Sequence, residues 1–165
     1  MDARAQLAGR VDRDLDLTRT LLDRLPDQSM SWRPHPRSFS LAGLATHLAR
    51  LPHWGVQMLA HDDYDLAGAT GRASEHQARG DVLDMFDRHV AEWREALATT
   101  TDARLVSPWT LRRGPVVVEI LPRLDAVERF LLHHVIHHRG QLTVYFRLLD
   151  LRVPDIYGPT ADDHP

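Results

Sequence analysis

The chain has 165 residues, a net charge of -3 and 43% hydrophobic residues, which suits one domain able to bury its own core. A pI near 6.4 leaves no basic footprint for nucleic acid or an anionic membrane. The lack of cysteine excludes disulfides, thiolate metal sites and a cysteine nucleophile.

All 20 basic residues are arginine, a trait of GC-rich coding and not of function. Histidine is the unusual residue: there are 11, and four of them fall within residues 133–138. The first fourteen residues are charged and amphipathic, with no signal-peptide core, and no run approaches the roughly 18 apolar residues of a membrane span. A cytoplasmic protein is expected.

Leu7, Val11, Leu15, Thr18, Leu22 and Leu25 keep a three-to-four spacing, which predicts a first amphipathic helix over 3–25, closed by Pro26. From Asp27 to Ser38 two prolines in three residues, Pro34 and Pro36, rule out a regular helix, and the segment reads as a loop. Ser38 or Ser40 caps a second helix reaching about Ala60, with Pro52 expected to kink or divide it. Residues 61–80 are polar and read as a long connection. Asp81 then opens a third helix with Val82, Phe86, Val90, Trp93 and Leu97 on one side. From Thr99 to Leu121 the pattern fails, and Val116 to Val118 allow at most a short extended piece. Pro122 suits the first position of a fourth helix running to about Asp150. From about residue 154 the chain is a polar tail. The whole, 1–165, is expected to be a single all-α domain, a four-helix bundle.

At 100° per residue the fourth helix gathers Leu124, Val127, Phe130, Leu131, Leu142, Tyr145, Leu148 and Leu149 on one broad face. His134 and His138 sit near the middle of that stripe, one turn apart. His137 falls at its edge and His133 beyond it, while Arg139, Thr143 and Arg147 lie off it; the two arginines suit a dimer contact or a salt bridge. An imidazole on a dry face without partners costs roughly 1–3 kcal/mol, so the pair needs a reason. Two rings at i and i+4 can reach one ion, as in H-E-x-x-H metalloproteases, but here Val135, Ile136 and His137 stand between them and that motif's glutamate is missing. His47 lies among Leu44, Leu48, Leu51, Trp54 and Met58 on the inner face of the second helix and supplies a third ring. His47, His134 and His138 are thus the candidate ligands of one divalent transition metal. Zinc and nickel come first, and iron(II) and manganese are also admitted. A single histidine on such a face is more often a satisfied core residue; three together argue for the ion. The remaining six, His35, His53, His61, His76, His89 and His164, read as solvated. Gln141 and Tyr145 share the inner face; Gln141 is placed to orient a ligand or water, or to satisfy a backbone group at a bundle crossing, and Tyr145 to donate a proton or to pack. No carboxylate falls beside the predicted ligands.

The stretch His134-Val-Ile-His-His138-Arg139-Gly140-Gln141-Leu-Thr-Val-Tyr145-Phe-Arg147, followed by Val153-Pro154-Asp-Ile-Tyr157-Gly158, resembles the DinB/YfiT-like family of metalloenzymes. The segment Ser40-Leu-Ala-Gly-Leu-Ala-Thr-His47-Leu-Ala-Arg50 is similar to that family's first ligand region. The resemblance covers most of the chain. It implies a four-helix bundle, often a homodimer, with the three histidines as metal ligands. Its relatives include S-transferases and isomerases that use the low-molecular-weight thiols bacillithiol or mycothiol. The expected function is therefore a metal-dependent enzyme on a small-molecule substrate, such as a transferase with a thiol cosubstrate or a hydrolase. The competing readings are a non-catalytic metal-binding stress-response bundle and a metal-free helical interaction protein.

Overall fold

Leu7, Val11, Leu15, Thr18 and Leu22 are buried along α1 (Ala3–Leu22), as their spacing requires. The computed structural model describes residues 3–68 and 74–162. The helix stops three residues short of the expected end; Leu25 and Pro26 are buried in the turn that follows. The proline-rich segment is irregular apart from one 3-10 turn at Asp27–Ser29.

α2 (Leu41–Ala60) starts at Ser40, whose Oγ accepts from the Gly43 N–H at 2.9 Å and so satisfies one of the orphan donors of the first turn. Pro52 lies inside α2 without dividing it. At its far end the fully buried Arg123 donates to the carbonyls of Met58 and His61 and to Asp62 Oδ1 at 2.8 Å, so one guanidinium gathers the loose end of the helix. Gly55 lets this helix come close to its neighbours: a Cβ there would lie 2.7 Å from Leu131 Cδ2 and 2.8 Å from Trp93 Cε3.

α3 (Arg79–Thr99) begins two residues before Asp81 and buries Val82, Phe86, Val90, Trp93 and Leu97, the expected stripe. It packs chiefly on α1 and α2.

The segment read as patternless forms a short helix and a small sheet. α4 (Asp102–Val106) is capped by Thr101, and β2 (Pro108–Arg113) turns through Gly114, at φ +56°, into β3 (Val116–Pro122). β2 pairs antiparallel with β3, and on its other side parallel with β1 (Asp63–Asp65), a strand inside the supposed connection of 61–80. Alternation was present in β2, where Trp109 and Leu111 are buried between more open residues, but over too short a run to register. The bundle is therefore mostly helical with a three-stranded sheet at its side.

The fourth helix is not uniform. Pro122 is extended and precedes α5 (Arg123–Val127); a π-helical turn over Glu128–Leu132 follows, and then α6 (His133–Leu148). α6 packs on α2 and also on α1, so its buried surface is wider than one stripe: Val135, Arg139 and Phe146 are buried, whereas Leu148 is exposed. Around the bundle the helices run α1, α3, α2, α6, which places the two ligand-bearing helices side by side. Arg139 lies off the stripe, as its wheel position indicated, yet faces α1, where its Nη2 meets Asp14 Oδ1 at 2.6 Å. The tail is not free. Tyr157 bonds to both members of that pair, and Arg147 reaches Asp162 at 2.7 Å.

Candidate metal centre

His47 comes from the middle of α2, and His134 and His138 from the first turns of α6. Nε2 of His47 and Nε2 of His134 lie 3.2 Å apart, and one ring nitrogen from each of the three falls within 4.8 Å of the others. Their ring centroids are 4.6 to 5.0 Å apart. Two ligands bound to one ion at about 2.0–2.1 Å sit roughly 3.3 Å apart in a tetrahedral arrangement, so the His47–His134 pair stands at a ligating separation, with His138 close by.

A local contact anchors each α6 ring, and for His138 it fixes which nitrogen is offered. His138 Nδ1 lies 2.7 Å from Gln141 Oε1; an amide oxygen only accepts, so Nδ1 carries the proton and Nε2 keeps its lone pair. The His134 ring is hydrogen-bonded to the carbonyl of Phe130, one turn earlier, within the π turn where the backbone ladder changes register.

Electrostatics point the same way. Burial, then the neighbouring His138 and His134 rings, and then Arg50 hold His47 down to about 4, from an ordinary value near 6.5. Burial and then His138 bring His134 to about 4, against the Phe130 carbonyl. Burial lowers His138 as well, partly offset by Gln141. At neutral pH all three rings are uncharged with lone pairs to give. The donor set fits a borderline divalent ion, which neutral imidazole suits. No carboxylate belongs to the triad.

The surroundings combine an aromatic collar with an opening. Phe39 stacks on His47 at 5.8 Å and meets His138 edge-on at 6.3 Å, and Trp54 lies 5.9 Å from His134. A cleft of about 390 Å³ opens beside His138, lined by Arg37, Ser38, Phe39, Gln141 and Tyr145 among others. The Tyr145 hydroxyl donates to the Phe39 carbonyl at 3.1 Å, and burial raises its pKa above the ordinary phenol value. The structure thus brings His47, His134, His138, Gln141 and Tyr145 together. It leaves His133 and His137 exposed at the flank.

Sequence reasoning assigned no site role to Arg37 and Phe39 and offered Ser38 only as a helix cap; all three line the cleft. Their position immediately before the cap of the His47 helix was the available signal. It also misjudged two histidines: His76 and His89 are half-buried, the latter with Nδ1 2.8 Å from the Ala49 carbonyl. His164 lies outside the described residues.

The likeness to known proteins spans the whole arrangement. The model of the DinB superfamily matches residues 10–142. YrdA of Bacillus subtilis strain 168, an uncharacterized protein, is 53% identical over 151 residues, covering 91% of this chain and 85% of its own. A DinB-like protein from Bacillus cereus superposes with a TM-score of 0.71 at 23% identity, over 92% of this chain and 95% of that one. YfiT of Bacillus subtilis, described as a probable metal-dependent hydrolase with an unusual four-helix bundle topology, gives 0.68 at 14% identity, over 90% and 89%. With the family model matching from α1 through both ligand helices, the chain belongs to the DinB superfamily.

Proposed function

We propose that the chain is a metal-dependent enzyme acting on a small molecule, with His47, His134 and His138 holding one divalent transition metal, zinc or nickel before iron(II) or manganese. The observation that supports it is three neutral imidazoles converging on one point, with His138 among them at the wall of an open cleft. The description of YfiT as a probable metal-dependent hydrolase agrees with this reading.

When bound, such an ion supplies Lewis acidity that lowers the pKa of a water or thiol. The protein's own groups do the rest. Gln141 orients His138 through its ring N–H. Phe39 and Trp54 screen the triad from bulk water, which strengthens electrostatic interactions at that point. Tyr145, whose hydroxyl proton rests on the Phe39 carbonyl until substrate takes its place, is the proton donor facing the cleft.

The reaction is transfer to, or hydrolysis of, an electrophilic small molecule. Because the chain has no cysteine, a transferred thiol enters as a low-molecular-weight cosubstrate. A homodimer is the assembly that the family resemblance implies, and the cytoplasm is the setting expected from the sequence.

The test is a screen of zinc- and nickel-loaded protein against small electrophiles with and without low-molecular-weight thiols. Turnover that disappears in His134→Ala and His138→Ala supports the reading. Turnover that survives both removes it. A protein that binds metal tightly with no turnover across the screen favours a non-catalytic bundle.

A further inference from the structure

On the α2–α3 side of the bundle a second group of ligating side chains stands together. His53 of α2 and His89 and Glu92 of α3 each bring one donor atom within 4.8 Å of the others. His53 follows His47 by six residues, about 240° around the helix, so the two rings leave α2 on different faces.

The neighbours of each donor set its chemistry. His89 Nδ1 gives its proton to the Ala49 carbonyl at 2.8 Å, which leaves Nε2 with the lone pair; anchoring one ring nitrogen on a carbonyl is how ligating histidines are commonly held. Burial lowers the His89 pKa, so the ring is neutral at neutral pH. His53 Nδ1 lies 2.9 Å from Glu92 Oε2, close to the roughly 3.3 Å between two ligands on one ion. His53 Nε2 lies 3.2 Å from the Gln57 amide. Without an ion Nδ1 donates its proton to Glu92 and Nε2 accepts from the Gln57 NH2. An ion takes the place of that shared proton, the ring proton moves to Nε2, and the Gln57 amide turns over so that its oxygen accepts it. The His53 and His89 rings are 5.0 Å apart, and a cleft of about 560 Å³, bounded also by Trp54, Gln57 and Tyr64, opens over them.

We propose that His53, His89 and Glu92 form a second divalent-metal site, separate from the triad, with open positions toward this cleft. Two imidazoles and a carboxylate suit zinc or a similar borderline ion. Arg50 lines the same cleft and Arg88 acts on both His89 and Glu92, so their positive charge makes this the weaker of the two sites.

The experiment is calorimetric titration of untagged full-length protein with zinc(II). The expected result is a weaker equivalent that is lost in Glu92→Gln and in His53→Ala, both at partly open positions, while the tighter equivalent stays. In a His134→Ala/His138→Ala background about one equivalent should remain and vanish when Glu92→Gln is added. If that background does not fold, the comparison of wild type with Glu92→Gln and His53→Ala decides alone. A titration in which no equivalent is lost with either single substitution overturns the proposal, whether or not the triad binds.

Discussion

His138 and Gln141 are joined by a 2.7 Å hydrogen bond from ring Nδ1 to the side-chain oxygen, three residues along the same helix. Gln141 is exposed and contributes little to the core, so its contact acts on ligand orientation. Gln141→Ala should therefore weaken metal binding by about 10–100-fold while leaving the melting temperature of the metal-free protein unchanged. Gln141→Glu, which keeps an acceptor at the same point, should restore most of the affinity. Competition titration with a chromogenic chelator reads both.

Acid should weaken the metal-free protein in a defined window. His47 and His134 protonate near 4 in the fold but near 6.5 in the unfolded chain, so between those values the unfolded state binds more protons. Their neutral burial leaves stability intact above about pH 6.5; it falls as pH drops toward 4 and is then flat. Urea midpoints measured from pH 8 to 4 should decline more steeply for wild type than for His47→Gln. Equal slopes would show that the rings are not buried neutral.

Asp14→Ala should destabilise the fold by about 3–5 kcal/mol, because it strands the buried Arg139 guanidinium without its partner. Tyr157→Phe removes one hydroxyl from the same cluster and should cost only about 1 kcal/mol. Chemical denaturation of the two variants checks the ratio.

Gly55→Ala places a methyl group against Leu131 and the buried Trp93 ring, neither of which has room to yield. Overpacking of this kind costs about 1–3 kcal/mol, which outweighs the gain of up to about 1 kcal/mol from alanine's helix propensity. A lower melting temperature is the expected outcome.

The helices that carry the triad were legible because their periodicity is long and their histidines sit where apolar residues belong. The α3 stripe from Val82 to Leu97 was equally plain, and the α2 cap was narrowed to Ser38 or Ser40, of which the structure uses Ser40. What escaped was set by contacts far apart in sequence. β1 is only Asp63-Tyr64-Asp65, and its strand character comes from pairing with β2. The π turn at Glu128–Leu132 leaves no signature in an apolar count, although it governs how the Phe130 carbonyl meets His134. Arg139 was read correctly as lying off the ligand stripe, but its burial depends on α1 packing against a second side of α6. Phe39 drew no functional reading because its partners, His47 and His138, lie in helices that only the fold brings together.

Elemental analysis of untagged protein, supplemented with each divalent metal in turn and then dialysed, bears most directly on the triad. Wild type should retain about one tightly held equivalent, and His47→Ala and His138→Ala should lose it while keeping their helical circular dichroism. Retention of that equivalent in both variants, or its absence from wild type with every metal offered, would contradict the assignment of His47, His134 and His138 as the ligands.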